Sequence, residues 1–186
     1  ETNPEKGLIS SFFNEYFDGG MGAILFQEVR EARALAYSTS AGYYSGSRLG
    51  DQDRFAGYIG TQADKTIEAL KLFVDLMRNT PDSKKHFDTA KDSLDNSYRT
   101  GYVNFRGIVG SVKYWGDLGY NQDPRKASFK MLHKITPENL KEFIKDKISS
   151  QNLTFSIVGD KTKIDMNELA KIGEIEEINI DKLFTD

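Results

Sequence analysis

The hydrophobic period of this sequence changes from helical to extended near Ala34. Before that point, apolar residues recur every three or four positions, as on one face of a helix that starts after Pro4 and stops at Asp18-Gly19-Gly20: Leu8, Ile9, Phe12, Phe13, Tyr16 and Phe17. A second helix is predicted from Met21 to about Arg33, with an inner face of Ile24, Leu25 and Val29. This part of the sequence therefore predicts two successive helices.

After Ala34 the sequence predicts an antiparallel β-hairpin. Residues 35–44 are rich in Tyr, Thr, Ala and Ser and carry little charge, and residues 55–61 form a second strand-like run. The polar turn at 46–53 is short, which favours antiparallel pairing of the two runs. Small side chains occur on both faces of these strands, so we expect one sheet face to be open to a ligand, a partner domain or a peptide.

Most of the remaining sequence is predicted to be helical, over residues 63–79, 83–98, 105–118, 125–132, 137–148 and 167–171. The first of these helices has a predicted inner face of Ile67, Leu70, Phe73, Val74 and Met77. Leu153 to Val158 is predicted as a core strand, and Ile175 to Ile180 as a weaker strand. A hairpin followed by a run of helices differs from the regular alternation of a doubly wound fold. The predicted fold class is α+β, with an antiparallel-rich sheet covered by helices on one face.

Composition excludes several classes of protein. The 186 residues suffice for one domain with a hydrophobic core, and 38% hydrophobic with 28% charged residues is ordinary for a globular protein. The net charge is −3 with both signs interspersed, so no basic face exists for phosphates and nucleic acid is not an expected partner. No apolar run approaches the ~20 residues that span a bilayer, so we expect no membrane insertion. The absence of cysteine excludes disulfides and thiol chemistry.

The sequence offers no recognisable catalytic or metal site. Its two histidines, His86 and His133, are far apart, and neither has a partner histidine on its own helix. A catalytic zinc ion needs about three protein ligands and an open coordination position. No serine lies in a Gly-x-Ser-x-Gly turn. We therefore predict no catalytic residue, no metal ligand and no cofactor in this chain, and we interpret both histidines as exposed or helix-end residues.

One segment carries residues suited to bind a peptide. Residues 26–37 pass from the end of a helix into a strand, so Arg30 and Tyr37 could face the same place from two elements. Both side chains donate hydrogen bonds that suit a peptide carbonyl, and the guanidinium stays charged. The spacing also fits a second interpretation, in which Arg30 pairs with Glu28 or Glu31 at the surface and Tyr37 is a core strand residue.

These residues belong to a stretch that resembles a signature of the insulinase-type (pitrilysin, M16) zinc peptidases. The stretch comprises Asn14 to Met21, Leu25 to Glu31 and Arg33 to Ser38, with a Gly-Gly-Met core, a Phe-Gln-Glu core and a Leu-Ala-Tyr end. Further matches are Tyr58-Ile59-Gly60-Thr61, Leu118-Gly119, Asp123-Pro124 and Ile157-Val158-Gly159-Asp160. The resemblance covers most of the chain and is dense between Asn14 and Lys65.

The resemblance implies a fold and a site. Members of the family pair two similar α+β halves that close like a clamshell around a peptide, and one half carries zinc on a His-x-x-Glu-His helix. The other half usually lacks zinc and in many members contributes an arginine and a tyrosine, seven residues apart, that bind the substrate near the scissile bond. Arg30 and Tyr37 match that spacing, and Arg33 is the rival for the arginine. We therefore expect Arg30 and Tyr37 to bind substrate, with zinc in the partner half.

The resemblance also implies a place within a larger protein. Residues 1–186 are expected to form a single non-catalytic domain of a longer chain, without the first strand or strands with which a family half begins. The implied partners are a peptide substrate and a zinc-bearing peptidase half, in the same chain or a separate subunit. The family suggests the bacterial periplasm or cell envelope. The alternative is a scaffold or assembly module without a peptidase role, and the presence of both Arg30 and Tyr37 favours the substrate-binding half.

Overall fold

The computed structural model describes residues 4–31 and 34–179 and confirms an α+β fold. Its helices are α1 (Pro4–Asp18), α2 (Thr66–Arg78), α3 (Lys84–Thr100), α4 (Ile108–Asp117), α5 (Arg125–Leu132), α6 (Pro137–Ile144) and α7 (Met166–Ala170). Its strands are β1 (Ser38–Tyr44) and β2 (Arg54–Gly60). π-Helices occupy Phe26–Glu31 and, directly after α6, Lys145–Ser149, and short 3-10 helices occupy Ala63–Lys65 and Lys161–Lys163.

Helix α1 lies at the centre of the core. Its predicted apolar stripe is confirmed: one residue is half-buried, Ile9, and the others are buried, namely Leu8, Phe12, Phe13, Tyr16 and Phe17. The helix contacts β1, α3, α5 and α6. Ring centroids of Phe17 and Phe143 lie 5.4 Å and 5.7 Å from that of Phe13, in the range of favourable aromatic contacts.

Strands β1 and β2 form the predicted antiparallel hairpin, which pairs Ser38 with Gly60 and Tyr44 with Arg54. One face of the hairpin lies against helices, and the other is open, as expected. The open face exposes three small side chains and three large ones: Ser38, Ser40, Ala56, Tyr44, Arg54 and Tyr58. Helix α2 crosses the covered face closely, because a Cβ atom at Gly57 would lie 2.3 Å from Cζ of Phe73. The glycine permits this close approach.

Side chains of α1 occupy the outer edge of β1. The Asp18 carboxylate accepts a hydrogen bond from the Ala41 amide (2.9 Å), and Asn14 Oδ1 accepts one from the Tyr43 amide (2.6 Å). Asn14 Nδ2 donates in return to the Tyr43 carbonyl (2.9 Å). These side-chain contacts satisfy the backbone groups that a neighbouring strand would otherwise bind.

Asp53 ties the hairpin loop to the first turn of α1. Its carboxylate lies 2.8 Å from Lys6 Nζ and accepts hydrogen bonds from the Tyr43 hydroxyl (3.0 Å) and the Gly46 amide (3.1 Å). Burial, helped by the hydrogen bond to Asp53, raises the pKa of Tyr43 to about 12. Burial also acts to raise the pKa of Asp53, but the hydrogen bonds from Lys6, Gly46 and Tyr43 outweigh it and lower that pKa. The start of α1 therefore lies beside the start of β2.

The predicted core strand from Leu153 to Val158 is wrong. Residues 152–158 form no strand with any residue that the structure describes. Phe155 and Ile157 are each 38% exposed and Val158 is 95% exposed. Residues 175–179 also form no strand, and Ile180 lies outside the described residues. The apolar sequence has strand character, but a strand forms only where a neighbour supplies ladder hydrogen bonds.

The buried face of α2 is rotated from the predicted one. The expected inner residues Ile67, Leu70 and Val74 are only half-buried. The buried face consists instead of Ala69, Leu72, Phe73, Leu76 and Met77. Both sets have helical spacing and share Phe73 and Met77, so the contact with the sheet, rather than the period, decides which set is inside.

Candidate functional site

Arg30 lies on the π-helix Phe26–Glu31, with its side chain exposed. Val29, next to it, is fully buried and anchors the helix in the core. The Arg30 guanidinium lies over the Phe26 ring, 5.0 Å from its centroid. Among the described residues it forms no salt bridge, so the surface pairing with Glu28 or Glu31 is not observed. π-Helical turns are often found at functional sites.

Tyr37 precedes β1 and is 90% exposed, which contradicts the interpretation of this residue as part of the core. Its backbone amide donates a hydrogen bond to the Gly60 carbonyl at the end of β2 (3.1 Å). The two residues before it, Leu35 and Ala36, are buried. The tyrosine ring therefore points into solvent, while the hydrogen bond to Gly60 and the burial of Leu35 and Ala36 fix the position of its backbone.

A short turn connects Arg30 to Tyr37. The Ala34 amide donates to the Arg30 carbonyl and the Leu35 amide to the Val29 carbonyl, each at 3.1 Å. The Thr61 hydroxyl donates to the Leu35 carbonyl at 2.6 Å and so joins this turn to the end of β2. Ala34 has a φ of +49°, in the left-handed region that ordinary residues avoid.

Replacing Ala34 by glycine is expected to stabilise the protein. A non-glycine residue in the left-handed region costs about 1–2 kcal/mol, while glycine brings back about 0.5–1 kcal/mol of extra chain entropy in the unfolded state. The expected net gain of a few tenths to 1 kcal/mol would raise Tm by about 1–4 °C for a chain of this size. Thermal unfolding followed by circular dichroism measures it.

The reverse change at Gly20 is the matched control. Gly20 has a φ of +95° with nothing within 4 Å of an added Cβ, so Gly20→Ala changes only the backbone preference. We expect Gly20→Ala to lower Tm. If Ala34→Gly also lowered Tm, the turn between Arg30 and Tyr37 would not be strained at Ala34.

The sequence marks Ala34 only as the point where the period changes and Thr61 only as part of a family match, and neither signal indicates the role of that residue in this turn. An alanine gives no sign of a left-handed conformation, and the partner of the Thr61 hydroxyl is distant in sequence. Arg33, the rival for the arginine role, lies outside the described residues. Of the two alternatives for the arginine, only Arg30 has a structural description.

His86 and His133 lie in different surroundings. Burial lowers the pKa of His86, whose Nδ1 is buried without a hydrogen-bond partner among the described residues and whose ring meets Tyr16 edge-on. His133 Nε2 lies 3.2 Å from an Asp95 carboxylate oxygen on a half-exposed surface.

Over residues 4–31 and 34–179, no three potential metal ligands are grouped together. In the same ranges no helix is long and apolar enough to cross a membrane.

The fold is similar to those of two solved structures. The structure is similar to the crystal structure of a peptidase M16 inactive domain from Pseudomonas fluorescens, with 25% identity, a TM-score of 0.63, and 77% of this chain and 34% of that chain covered. It also shares its fold with a chain of complex III₂ from Candida albicans with Inz-5 bound, at 18% identity and a TM-score of 0.52, covering 77% and 36%. The chain thus spans about a third of the length of each neighbour.

The amino-acid sequence of the first half of the chain matches the model of a protein family. The model described as the peptidase M16 inactive domain matches residues 2–94. This range contains α1, the π-helix Phe26–Glu31, the Arg30–Tyr37 turn, the hairpin, α2 and most of α3. No protein with a curated function matches the chain. The chain belongs to the peptidase M16 inactive domain family.

Proposed function

We propose that this domain is the non-catalytic, substrate-binding half of a zinc-dependent endopeptidase. In this role it closes over a peptide together with a zinc-bearing partner half. The observation that supports the proposal is the exposure of both Arg30 and Tyr37 at the two ends of one hydrogen-bonded turn. Neither side chain contributes to the buried core, so both are available to contact a peptide.

The chemistry of the two side chains fits a peptide backbone. The Arg30 guanidinium and the Tyr37 hydroxyl each donate hydrogen bonds, and a carbonyl oxygen of an extended peptide accepts them. The guanidinium also places a fixed positive charge beside that carbonyl. Such groups act by orienting the substrate and stabilising developing negative charge. Zinc and the general base would come from the partner half.

The open face of the hairpin supplies room for a peptide beside the turn. Its exposed residues Ser38, Ser40 and Ala56 have short side chains, and Tyr58, the register partner of Ser40, is 59% exposed. Ser38 follows Tyr37 directly, so the face begins where the turn ends. An extended peptide held by Tyr37 would first meet these short side chains, and the exposed Tyr44 and Arg54 lie at the far end of the same face.

A scaffold or assembly role is the alternative. Its support is the shared fold with a chain of the Candida albicans complex III₂, and at 18% identity this likeness extends to the fold alone. A scaffold would not need an arginine and a tyrosine that are exposed and joined by a fixed turn. In either role we propose that residues 1–186 are one domain of a longer polypeptide.

Photo-crosslinking in the complete protein tests the substrate-binding role. With p-benzoylphenylalanine in place of Tyr37, an uncleaved peptide analogue is expected to be captured on illumination, because the ring would lie within contact of the bound peptide. The same substitution at Tyr102, which is 84% exposed, is the matched control and should capture none. Equal labelling at both positions, or none at Tyr37, would contradict the substrate-binding role and favour the scaffold.

A further inference from the structure

Tyr58 lies on the open face of the hairpin, with its ring directed towards the Arg30–Tyr37 turn. The side chain is 59% exposed, and the residue pairs with Ser40 on β1. A Cβ atom at Gly60 would lie 2.9 Å from the Tyr58 hydroxyl oxygen, so the ring extends along β2 towards Gly60. The Gly60 carbonyl accepts a hydrogen bond from the Tyr37 amide (3.1 Å). The Tyr58 hydroxyl therefore lies beside the end of that turn.

Small residues surround the Tyr58 ring on this face. Tyr58 pairs with Ser40 and Gly60 pairs with Ser38, so the ring has a glycine along its own strand and two serines across the hairpin. Both serines are exposed. Among the described residues, the Tyr58 ring stacks on no other ring or guanidinium, and its hydroxyl has no hydrogen-bond partner. An aromatic surface is thus left uncovered beside a shallow floor.

Tyr44, the other tyrosine of the open face, already has partners within the chain. Its ring lies over Gly42, where an added Cβ atom would be 3.2 Å from the Tyr44 hydroxyl. The Arg54 guanidinium lies over the other part of this contact, with its carbon 5.6 Å from the centroid of the Tyr44 ring. A guanidinium is a favourable partner for an aromatic face. Tyr58 is therefore the tyrosine of this face that is more available to a bound peptide.

The charges of the open face favour an uncharged side chain as the partner of Tyr58. The face consists of residues 38, 40, 42 and 44 on β1 and residues 54, 56, 58 and 60 on β2. Arg54 is the charged residue among them, and no carboxylate is present to attract a basic side chain. An aromatic side chain gains both from burial of its apolar surface and from the contact between the two rings.

The spacing of an extended chain relates the Tyr58 ring to the carbonyl that Tyr37 would bind. Gly60 and Tyr58 are two residues apart on β2, which corresponds to a rise of about 7 Å. Alternate side chains of an extended peptide point to the same side and have the same separation. A peptide held at Tyr37 and lying along the hairpin would bring the side chain about two residues further along against the Tyr58 ring.

We infer that Tyr58 is a specificity-determining residue, whose ring forms a subsite for an aromatic side chain of the peptide about two residues from the carbonyl held at Tyr37. The inference rests on the proposed substrate-binding function. The substrate ring would lie over Ser38, Ser40 and Gly60 and pack against the Tyr58 ring in the offset or edge-on arrangement that aromatic pairs prefer. The preferred substrates are then peptides with an aromatic residue at this position.

Selectivity among matched peptides tests the subsite in the complete protein. The probes are quenched fluorescent alanine octapeptides, each with one phenylalanine at a different position, and mass spectrometry of the products locates the cleaved bond. At the subsite position, phenylalanine is expected to raise kcat/KM by about tenfold over the all-alanine peptide. Tyr58→Thr removes the ring but keeps a strand-favouring side chain, and it should abolish this preference. Tyr58→Phe should retain it, because the ring and not the hydroxyl carries the contact.

Matched variants separate failure of this inference from failure of the proposed function. Arg30→Ala should lower kcat/KM for all the peptides by the same factor, because it acts on a backbone carbonyl. If it does so while Tyr58→Thr changes no phenylalanine preference, the aromatic subsite is wrong and the substrate-binding function stands. If Arg30→Ala affects none of the peptides, the substrate-binding function fails, and the inference fails with it.

Two further results would overturn the aromatic subsite. Tyr44→Thr, on the same face, should leave the phenylalanine preference unchanged, and an equal loss in this variant would contradict a specific role of Tyr58. In the same peptides with lysine in place of phenylalanine, a gain that disappears in Tyr58→Thr would indicate a basic side chain as the partner. Thermal unfolding should show similar Tm values for Tyr58→Thr and the unchanged protein, because the side chain is largely exposed.

Discussion

Replacing Arg30 by alanine is expected, on the substrate-binding role proposed above, to lower kcat/KM for peptide cleavage by the complete protein by about tenfold or more, the effect of losing one well-aligned donor. Tyr37→Phe should act in the same direction, because it removes only the hydroxyl that would reach the substrate carbonyl. Neither change should shift Tm, because both side chains are exposed and exposed substitutions usually alter stability by less than about 0.5 kcal/mol. Steady-state kinetics with a quenched fluorescent peptide and thermal unfolding measure the two effects.

The chain contains a matched control for each substitution. Arg106 is an exposed arginine stacked on a neighbouring phenylalanine, with 5.2 Å from its guanidinium carbon to the Phe105 ring centroid, much as Arg30 lies over Phe26. Tyr102, at 84% exposure, is nearly as exposed as Tyr37. Arg106→Ala and Tyr102→Phe should leave kcat/KM unchanged. A loss of stability in Arg30→Ala, or equal kinetic effects at the control positions, would favour the scaffold role over substrate binding.

Phe13→Ala is expected to destabilise the domain by about 3–5 kcal/mol, the cost of replacing a fully buried phenylalanine by alanine. The Phe13 ring is completely buried and lies within 6.2 Å, centroid to centroid, of the Phe55 ring on β2. It thereby joins α1 to the hairpin and to Phe143 of α6. Truncation leaves a cavity where three elements meet, and Tm should fall by roughly 6–20 °C in a chain of this size.

Two further variants identify the cause of this loss. Phe13→Leu keeps most of the apolar volume and should cost clearly less than Phe13→Ala, because the residual cavity is smaller. Phe105→Ala removes a ring that is 78% exposed and should change Tm little. Similar losses for Phe13→Ala and Phe105→Ala in urea or thermal unfolding would show that α1 is not the centre of the core.

The helices could be predicted from the sequence because their signals are local. The stripe of α1 from Leu8 to Phe17 repeats with the helical period, and all of it is buried or half-buried. The start of α6 is also local, because Thr136 stands directly before Pro137 and its hydroxyl accepts the Asn139 amide at 3.3 Å in a capping box. The hairpin was also predictable, because the change of period and the polar turn at 46–53 lie within one short stretch.

The tertiary structure alone decided whether strand-like residues form a strand. Residues 153–158 have the composition of a core strand, but their backbone needs a neighbouring chain for its hydrogen bonds, and the sequence of one segment says nothing about its neighbours. The rotated face of α2 has the same origin, since two overlapping apolar stripes were both compatible with the period.

For the candidate site, the sequence by itself determined the residue types and their spacing: an arginine and a tyrosine seven residues apart across a helix-to-strand junction. It left open whether these side chains are buried or paired on the surface. Only the fold placed both in solvent, because the left-handed Ala34, the π-helix and the Thr61 hydroxyl set the direction of the backbone between them. Spacing is a property of the chain, whereas exposure depends on what the rest of the chain packs against.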